Sequence, residues 1–366
     1  MSSSILFFGD FVSSKCSNVV LSDDIKGLIS NATIVGCNLE APITKGASII
    51  AKAGVAIKQE VSIASWMKEN GFHFVQLANN HMLDFGLQGL EDTLLDLNQF
   101  TTVGAGAFDE AYKIKEIIAG GKKIGLISLC HQEFGITENE NQSGVAWINH
   151  WRVIHEIQSQ KEHFDFIIAL PHAGVELIDA PLPEWRQIYK KLIDYGVDAV
   201  IATHPHIPQG WETHNGKPIF YSLGNFYFDA VSNPHPFWNK SYAVQIFLGE
   251  QIDFKIHNLI FVEGRVDIDF DSSRDVHNQY LCNLISNDGS YESYINNEAT
   301  RLYDIYEKRM KQSLGAFYIN GNIKQKARLI LNFFKGKRDY NYLLNTFRCE
   351  SHRWLIQRAL LLKQNE

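Results

Sequence analysis

FVQLANNHMLDFG, residues 74–86, sets two amides, an imidazole and a carboxylate (Asn79, Asn80, His81, Asp84) within six positions, where an apolar run gives way to a helical pattern. Phe74 to Ala78 read as the end of a strand, and GLQGLEDTLLDLNQF, from Gly86 on, has apolar residues at helical spacing. Two readings fit the junction. In one, Asn79 or Asn80 caps the helix and His81 is a satisfied, half-buried imidazole. In the other, the stretch is one corner of a metal site.

The same junction recurs along the chain. The candidate strand SSILFFGD ends at Asp10 and ATIVGCNLE at Glu40; FDFIIALPHAG carries His172, DAVIATHPH carries His204 and His206, and GKPIFYSLGNFYFD carries Asn225. Short β-branched runs alternate with helical segments through about the first 250 residues, which predicts a layered α/β domain. In open α/β sheets ligands bind at the carboxyl ends of strands. Each residue alone has an ordinary explanation: Asp10 a turn, Glu40 a surface carboxylate before Pro42, His172 a core histidine. His204 and His206, at i and i+2 around Pro205, point the same way from an extended loop. Together these residues form a mixed oxygen and nitrogen donor set that suits Mn²⁺, Fe²⁺ or Zn²⁺ and not thiolate chemistry. Two such ions about 3.5–4 Å apart can clamp a displacement and activate water.

Composition narrows the class further. The 366 residues are 45% hydrophobic with a net charge of −7, which is globular and gives no general nucleic-acid signal. Residues 301–366 hold 14 Lys and Arg against 5 Asp and Glu, so this +9 tail follows a body of −16. The texture turns helical after about Asp271, which predicts a first domain over 1–270 and a basic, mainly helical extension over 271–366. Five scattered cysteines without a CxxC pair, and an N-terminus (MSSSILFFGDFV) with neither a basic leader nor a long apolar run, point to a cytoplasmic protein.

The ordered series FFGDF, CNLEAPIT, LANNHMLDFG, VGAGA, LPHAGVE, ATHPHIPQGWE and IFYSLGNFYFD resembles the CapA family of capsule and poly-γ-glutamate synthesis proteins, a branch of the calcineurin-like metallophosphoesterases. The resemblance implies a four-layer α/β/β/α sandwich. It implies Asp10, Glu40 (as bridging acid), Asn80, His172, His204 and His206 as metal ligands for one or two ions, with Mn²⁺ preferred over Fe²⁺ or Zn²⁺. His81 then becomes the catalytic histidine oriented by Asp84, Glu176 orients a neighbouring imidazole, and Asn225, Glu176 and Gln209 face the substrate. Three positions depart from the pattern: Val12 stands where metallophosphoesterases carry a histidine, Ala173 where a tryptophan is usual, and Thr203 where a glycine is usual. Ala173 is expected to open the pocket mouth, and Val12 to weaken one of the two ion positions.

Three functions follow as expectations. The first is a metal-dependent hydrolase, most simply a phosphoesterase, acting on a small or polymeric anionic ester in cell-surface polymer metabolism. The second is a poly-γ-glutamate or capsule factor working at amide linkages. The third is a metal-binding scaffold without turnover. In the tail, Arg328, Lys335, Lys337, Arg338, Arg348, Arg353 and Arg358 interleave with Phe333, Phe334, Tyr340, Tyr342 and Trp354. They suit either contact with an anionic membrane surface, acidic polymer or nucleic acid, or a helical cover with a solvated basic face.

Overall fold

The first strand is buried along its whole length because different layers cover its two faces. In the computed structural model, which describes residues 3–15, 18–231, 233–313 and 340–364, β1 (Ser4–Val12) has no exposed position. Ile5 and Phe7 enter one apolar cluster, while Leu6, Phe8 and Phe11 enter another. The two-residue period of a strand divides the run between two cores, so the sequence looks continuously apolar.

Among the described residues the larger sheet has nine strands. Its order is β2 (Val20–Leu21), β18 (Arg265–Ile268), β17 (Ile252–Val262), β16 (Lys240–Leu248), β1, β3 (Ile34–Leu39), β4 (Phe74–Gln76) and β5 (Thr101–Val103), with β15 (Asn225–Phe228) also beside β1. β1, β3, β4 and β5 run parallel, and β16, β17 and β18 extend the sheet antiparallel, as their alternation predicts. The smaller sheet runs β13 (Trp211–His214), β14 (Lys217–Phe220), β12 (Ala199–Ile201), β11 (Phe166–His172), β8 (Lys122–Cys130) and β7 (Lys115–Ala119). Its β8, β11, β12 and β14 are parallel. A third, three-stranded sheet holds β6 (Ala105–Ala107), β10 (Ser143–Ala146) and β9 (Ile136–Thr137).

Ile5, Phe7, Phe74, Leu126, Ile168, Tyr242 and Val244 fill the space between the two large sheets. The outer face of the larger sheet is covered by α1 (Asp23–Ser30), α2 (Ile63–Glu69) and α3 (Gly86–Asp96) through Ile25, Ile29, Ile63, Met67 and Leu90. α4 (Phe108–Tyr112) packs on β8, and α6 (Pro183–Tyr195), beside α5 (Trp151–Gln160), packs on β12 and β14. The result is the expected α/β/β/α sandwich. This unit comprises Met1–Ile50 and Ala56–Asp288, and so includes α7 (Ser273–Ser286).

The Gly9-Asp10 pair has a packing reason. β15 lies parallel to the end of β1, with Asp10 opposite Asn225, and the Asp10 amide donates to the Gly224 carbonyl at 3.1 Å. A Cβ on Gly9 would stand 1.8 Å from that carbonyl oxygen, so only glycine permits the approach. Gly9→Ala is expected to cost at least about 3 kcal/mol of stability, the scale of a forced core rearrangement. Denaturant unfolding of the purified variant measures it, and a wild-type midpoint would contradict the packing.

An ion-pair cluster ties α6 to the edge of the smaller sheet. Glu212 on β13 receives Arg186 through Nε and Nη2 at 2.6 and 2.8 Å, the Tyr221 hydroxyl at 2.5 Å and Lys190 at 3.1 Å. Burial alone would raise this carboxyl, but those donors outweigh it and hold it at about 2, below the ordinary 4.5. A carboxylate depressed on folding adds stability that is complete above its ordinary value and is lost as pH falls through the folded one. Glu212→Gln is therefore expected to lose roughly 1–2 kcal/mol at pH 7, allowing for partial exposure, with the deficit shrinking between pH 4.5 and 2. Melting curves of both proteins across that range check it.

The second unit comprises Ala51–Val55 and Gly289–Glu366. Within it, α8 (Asp288–Ser313) and the helices Tyr340–Arg348 and Glu350–Gln364 bury Ile295, Ala299, Leu355 and Ala359. Part of the basic character is used internally: Arg358 donates to Asn296 at 3.0 Å, and Lys363 lies 3.8 Å from Asp304. Arg328, Phe333, Phe334, Lys335, Lys337 and Arg338 lie outside the described residues. No helix among the described residues is long and apolar enough to cross a membrane.

Candidate metal centre

The parallel strands of both sheets deliver their carboxyl ends to one place. Asp10 lies near the end of β1, Glu40 follows β3, Asn80 and His81 follow β4, His172 ends β11, and His204 and His206 follow β12. Asp10, Glu40 and His172 are fully buried, and Asn80, His204 and His206 nearly so. Asn225 departs from the expected rule, because it opens β15 instead of ending a strand.

Two donor groups form, and they share one carboxylate. Glu40, His172 and His204 make one; Asp10, Glu40 and His206 make the other, with the donor atoms of each group within 4.8 Å of one another. Glu40 Oε1 is 3.5 Å from His172 Nε2 and 3.7 Å from His206 Nε2. His172 Nε2 also lies 3.1 Å from Asn80 Oδ1 and 3.1 Å from His204 Nδ1, and His206 Nδ1 lies 3.5 Å from Asp10 Oδ2. Neighbouring ligand atoms around an ion with bonds of about 2.1 Å stand about 3.0–3.4 Å apart. The Asn80 and His204 spacings to His172 fall in that range and the two Glu40 spacings lie just beyond it, whereas the Asp10 approach is to Nδ1 of His206, the nitrogen that faces Asn225.

The electrostatics fit the same group. Burial first, then Glu40, pushes the Asp10 carboxyl up to about 7. Burial first, then neighbouring histidines, holds His172 and His204 well below the ordinary imidazole range. Both rings are therefore neutral near pH 7, the form that ligates metal. The burial that disfavours the charged form of Asp10 is what a nearby divalent cation would offset, so the residues present fit a divalent ion.

The backbone is bent to make this set. His204 and His206 have φ of +102° and +61°, a region costly for residues with a Cβ. Asp10 Oδ2 accepts from the His204 amide at 3.2 Å, and the Leu177 amide holds the Pro205 carbonyl at 3.0 Å. Strain of this kind at two candidate ligands is characteristic of functional sites.

At the junction of residues 74–86 the helix-capping reading does not hold. α3 begins only at Gly86, whose φ is +67°, and it has no side-chain cap, so neither asparagine caps it. Asn79 braces the turn, donating to the Leu39 carbonyl at 2.9 Å and accepting from the His81 amide at 3.2 Å. His81 Nδ1 meets Asp84 Oδ2 at 2.7 Å, and that carboxylate also takes the Ile57 amide at 2.8 Å. A carboxylate offers only lone pairs, so Nδ1 carries a proton. The His81 side chain is 16% exposed while that of His172 is 0%, so His81 is the imidazole open to solvent.

Several expectations need correcting. Asn225 does not face a substrate: it is buried, its Oδ1 meets His206 Nδ1 at 3.0 Å and its Nδ2 donates to the Trp238 carbonyl at 3.0 Å, so it orients His206. Gln209 is likewise buried and donates to the Ile178 carbonyl at 2.9 Å. Glu176 is exposed on the loop after β11. The groups that meet His172 Nδ1 are Asn38 and Thr203, each at 3.0 Å. Ala173 opens no mouth; it is buried and its carbonyl accepts from the Tyr189 hydroxyl. Val12 packs with Ala41, Ile57, Phe228 and Trp238 in a small apolar cluster, where a histidine would otherwise offer a donor.

Three contributors were missed. Asn38 donates to Asp10 Oδ1 at 2.7 Å, and its position two residues before Glu40 puts both on one face of the chain. His131 and Glu133 follow the end of β8, so the strand-end rule applied to GKKIGLISLCHQE would have found them.

The fold is thus a four-layer sandwich whose two parallel strand groups converge on a centre with one shared carboxylate and several imidazoles. The family model described as bacterial capsule synthesis protein PGA_cap matches residues 14–230, and the chain belongs to that family. It is 33% identical over 168 residues to the PGA biosynthesis protein CapA of Bacillus subtilis, covering 44% of each chain. It is 27% identical over 212 residues to the capsule biosynthesis protein CapA of Bacillus anthracis, covering 55% of this chain and 52% of that one. The matches therefore span about half the length of these relatives. Among solved structures, a 5'-nucleotidase from Candida albicans aligns at 9% identity with a TM-score of 0.44, over 71% of this chain and 51% of that one.

Proposed function

We propose that the chain is a metal-dependent hydrolase acting on an anionic ester in the metabolism of a cell-surface polymer. One observation carries the reading: Glu40 is shared by two donor groups, beside a solvent-facing His81 held by Asp84. Asp10, Glu40 and His206 would hold one ion, and Glu40, Asn80, His172 and His204 the other, with Mn²⁺ the first choice for this mixed donor set. A divalent ion bound there supplies Lewis-acid polarisation of the ester and an activated water. The strained Thr203–His206 turn fixes two imidazoles before any ligand arrives, which avoids reorganisation cost. His81, with Asp84 on its Nδ1, is suited in its doubly protonated form to give the Nε2 proton to the leaving oxygen, which leaves the ring neutral with its remaining proton on Nδ1. The capsule and polyglutamate context rests on the names of the relatives. Turnover of a broad phosphomonoester and phosphodiester panel with Mn²⁺, by wild type but not by His204→Ala, is the expected result. A manganese-loaded wild type that turns over nothing in the panel would sink the proposal.

Val12 supports a second reading, a capsule factor that binds metal without turnover. The apolar cluster around Val12 leaves the Asp10 group with three protein donors, against four at the other position. Elemental analysis of protein purified without chelator separates the two readings: at most one ion and an unchanged ligand favour the scaffold.

A further inference from the structure

We infer that Glu133, braced by His131, is a positioning residue that turns the Asn80 amide so that its oxygen faces the candidate ion position. The inference rests on the metal-centre reading above and extends it to a pair of residues without a role there.

An asparagine amide has two ends of similar shape, and only its oxygen can ligate a cation. Something must therefore fix which end faces the donor group. Here Asn80 Nδ2 donates to Glu133 Oε2 at 2.7 Å, and Asn80 Oδ1 lies 3.1 Å from His172 Nε2 on the opposite side. A carboxylate accepts and never donates, so it takes the NH₂ end and excludes the flipped amide. The carboxylate is itself held. His131 Nε2 approaches the same Oε2 at 3.3 Å, which makes Nε2 the protonated nitrogen of that ring. The His131 ring also stands edge-on to His204, with centroids 4.5 Å apart, so one residue supports two members of the donor group.

Burial argues that the pair is there for this purpose. His131 is 1% exposed and Glu133 8%, both just beyond the end of β8, and the Nδ1 of His131 has no hydrogen-bond partner among the described residues. An ionisable pair is not carried into such a place by packing alone, because apolar residues of similar volume would be cheaper there. Groups that orient metal ligands account for about 10–100-fold in metal affinity.

The test uses the full chain and Mn²⁺ alone, with affinity followed by the loss of the free-ion electron paramagnetic resonance signal. Glu133→Leu is expected to weaken Mn²⁺ binding about 10–100-fold, whereas Glu133→Gln, which keeps an acceptor, stays within about threefold. The decisive arm is the Asn80→Asp background. There a carboxylate replaces the amide and meets the Glu133 carboxylate, so Glu133→Leu removes a repulsion and Mn²⁺ affinity rises. Opposite signs in the two backgrounds support the inference. Equal losses in both would mean plain packing and overturn it, as would unchanged affinity in Glu133→Leu. If Glu133→Leu does not fold, Glu133→Gln decides: a loss beyond tenfold overturns the acceptor role. A wild type that binds no Mn²⁺ overturns the metal reading itself, an outcome distinct from the others.

Discussion

Glu40→Gln is expected to empty both ion positions in a single step. Its Oε1 stands within 3.7 Å of both His172 Nε2 and His206 Nε2, and among the described residues no other belongs to both donor groups. Glutamine keeps the volume in a fully buried place but removes the charge and replaces one acceptor oxygen with an NH₂. Loss of the bridge removes charge compensation for two cations at once, which at a buried site weakens binding by several powers of ten. Bound metal after dialysis should fall to near zero, with hydrolysis falling about 10³-fold or more. Asp10→Asn and His172→Asn touch one group each and should leave about one ion. If Glu40→Gln retained as much metal as Asp10→Asn, the carboxylate would not be shared and the two-group description would fail.

The second large effect belongs to His81, and it should dissociate chemistry from metal. His81 belongs to neither donor group, is the most open of the site imidazoles and is tied to Asp84. His81→Ala is therefore expected to leave the ion count unchanged while lowering kcat by about 10²–10⁴, the usual worth of a placed proton donor. Asp84→Asn should cost less, about tenfold, since the ring stays but its preferred tautomer loses its carboxylate partner. Elemental analysis beside steady-state kinetics reads both quantities. A His81→Ala protein that loses its metal would place this imidazole among the ligands instead.

Much of this was legible in the residues because strand ends advertise themselves. Each apolar run stops at a polar residue, and in parallel sheets those stops share one edge, so Asp10, Glu40, Asn80, His172, His204 and His206 could be gathered without coordinates. The same rule overlooked His131 and Glu133, whose strand ends in an unremarkable CHQE. The substrate-facing role that the resemblance implied for Asn225 and Gln209 is not seen, since a polar residue near a site can equally spend its bonds on the scaffold, as the Trp238 and Ile178 carbonyls show.

Sequence by itself determined the layered α/β class, the donor types and the strands that carry them, because strand period and side-chain chemistry are local properties. Only the tertiary structure decided how close Glu40 stands to both histidine groups, that Asn225 serves His206, that Glu133 holds Asn80, and that Val12 is enclosed by Phe228 and Trp238. Those outcomes depend on distances of 2.7–3.7 Å between residues as far apart in sequence as Glu40 and His206. The packing of two sheets sets such distances, and no local preference of the chain contains them.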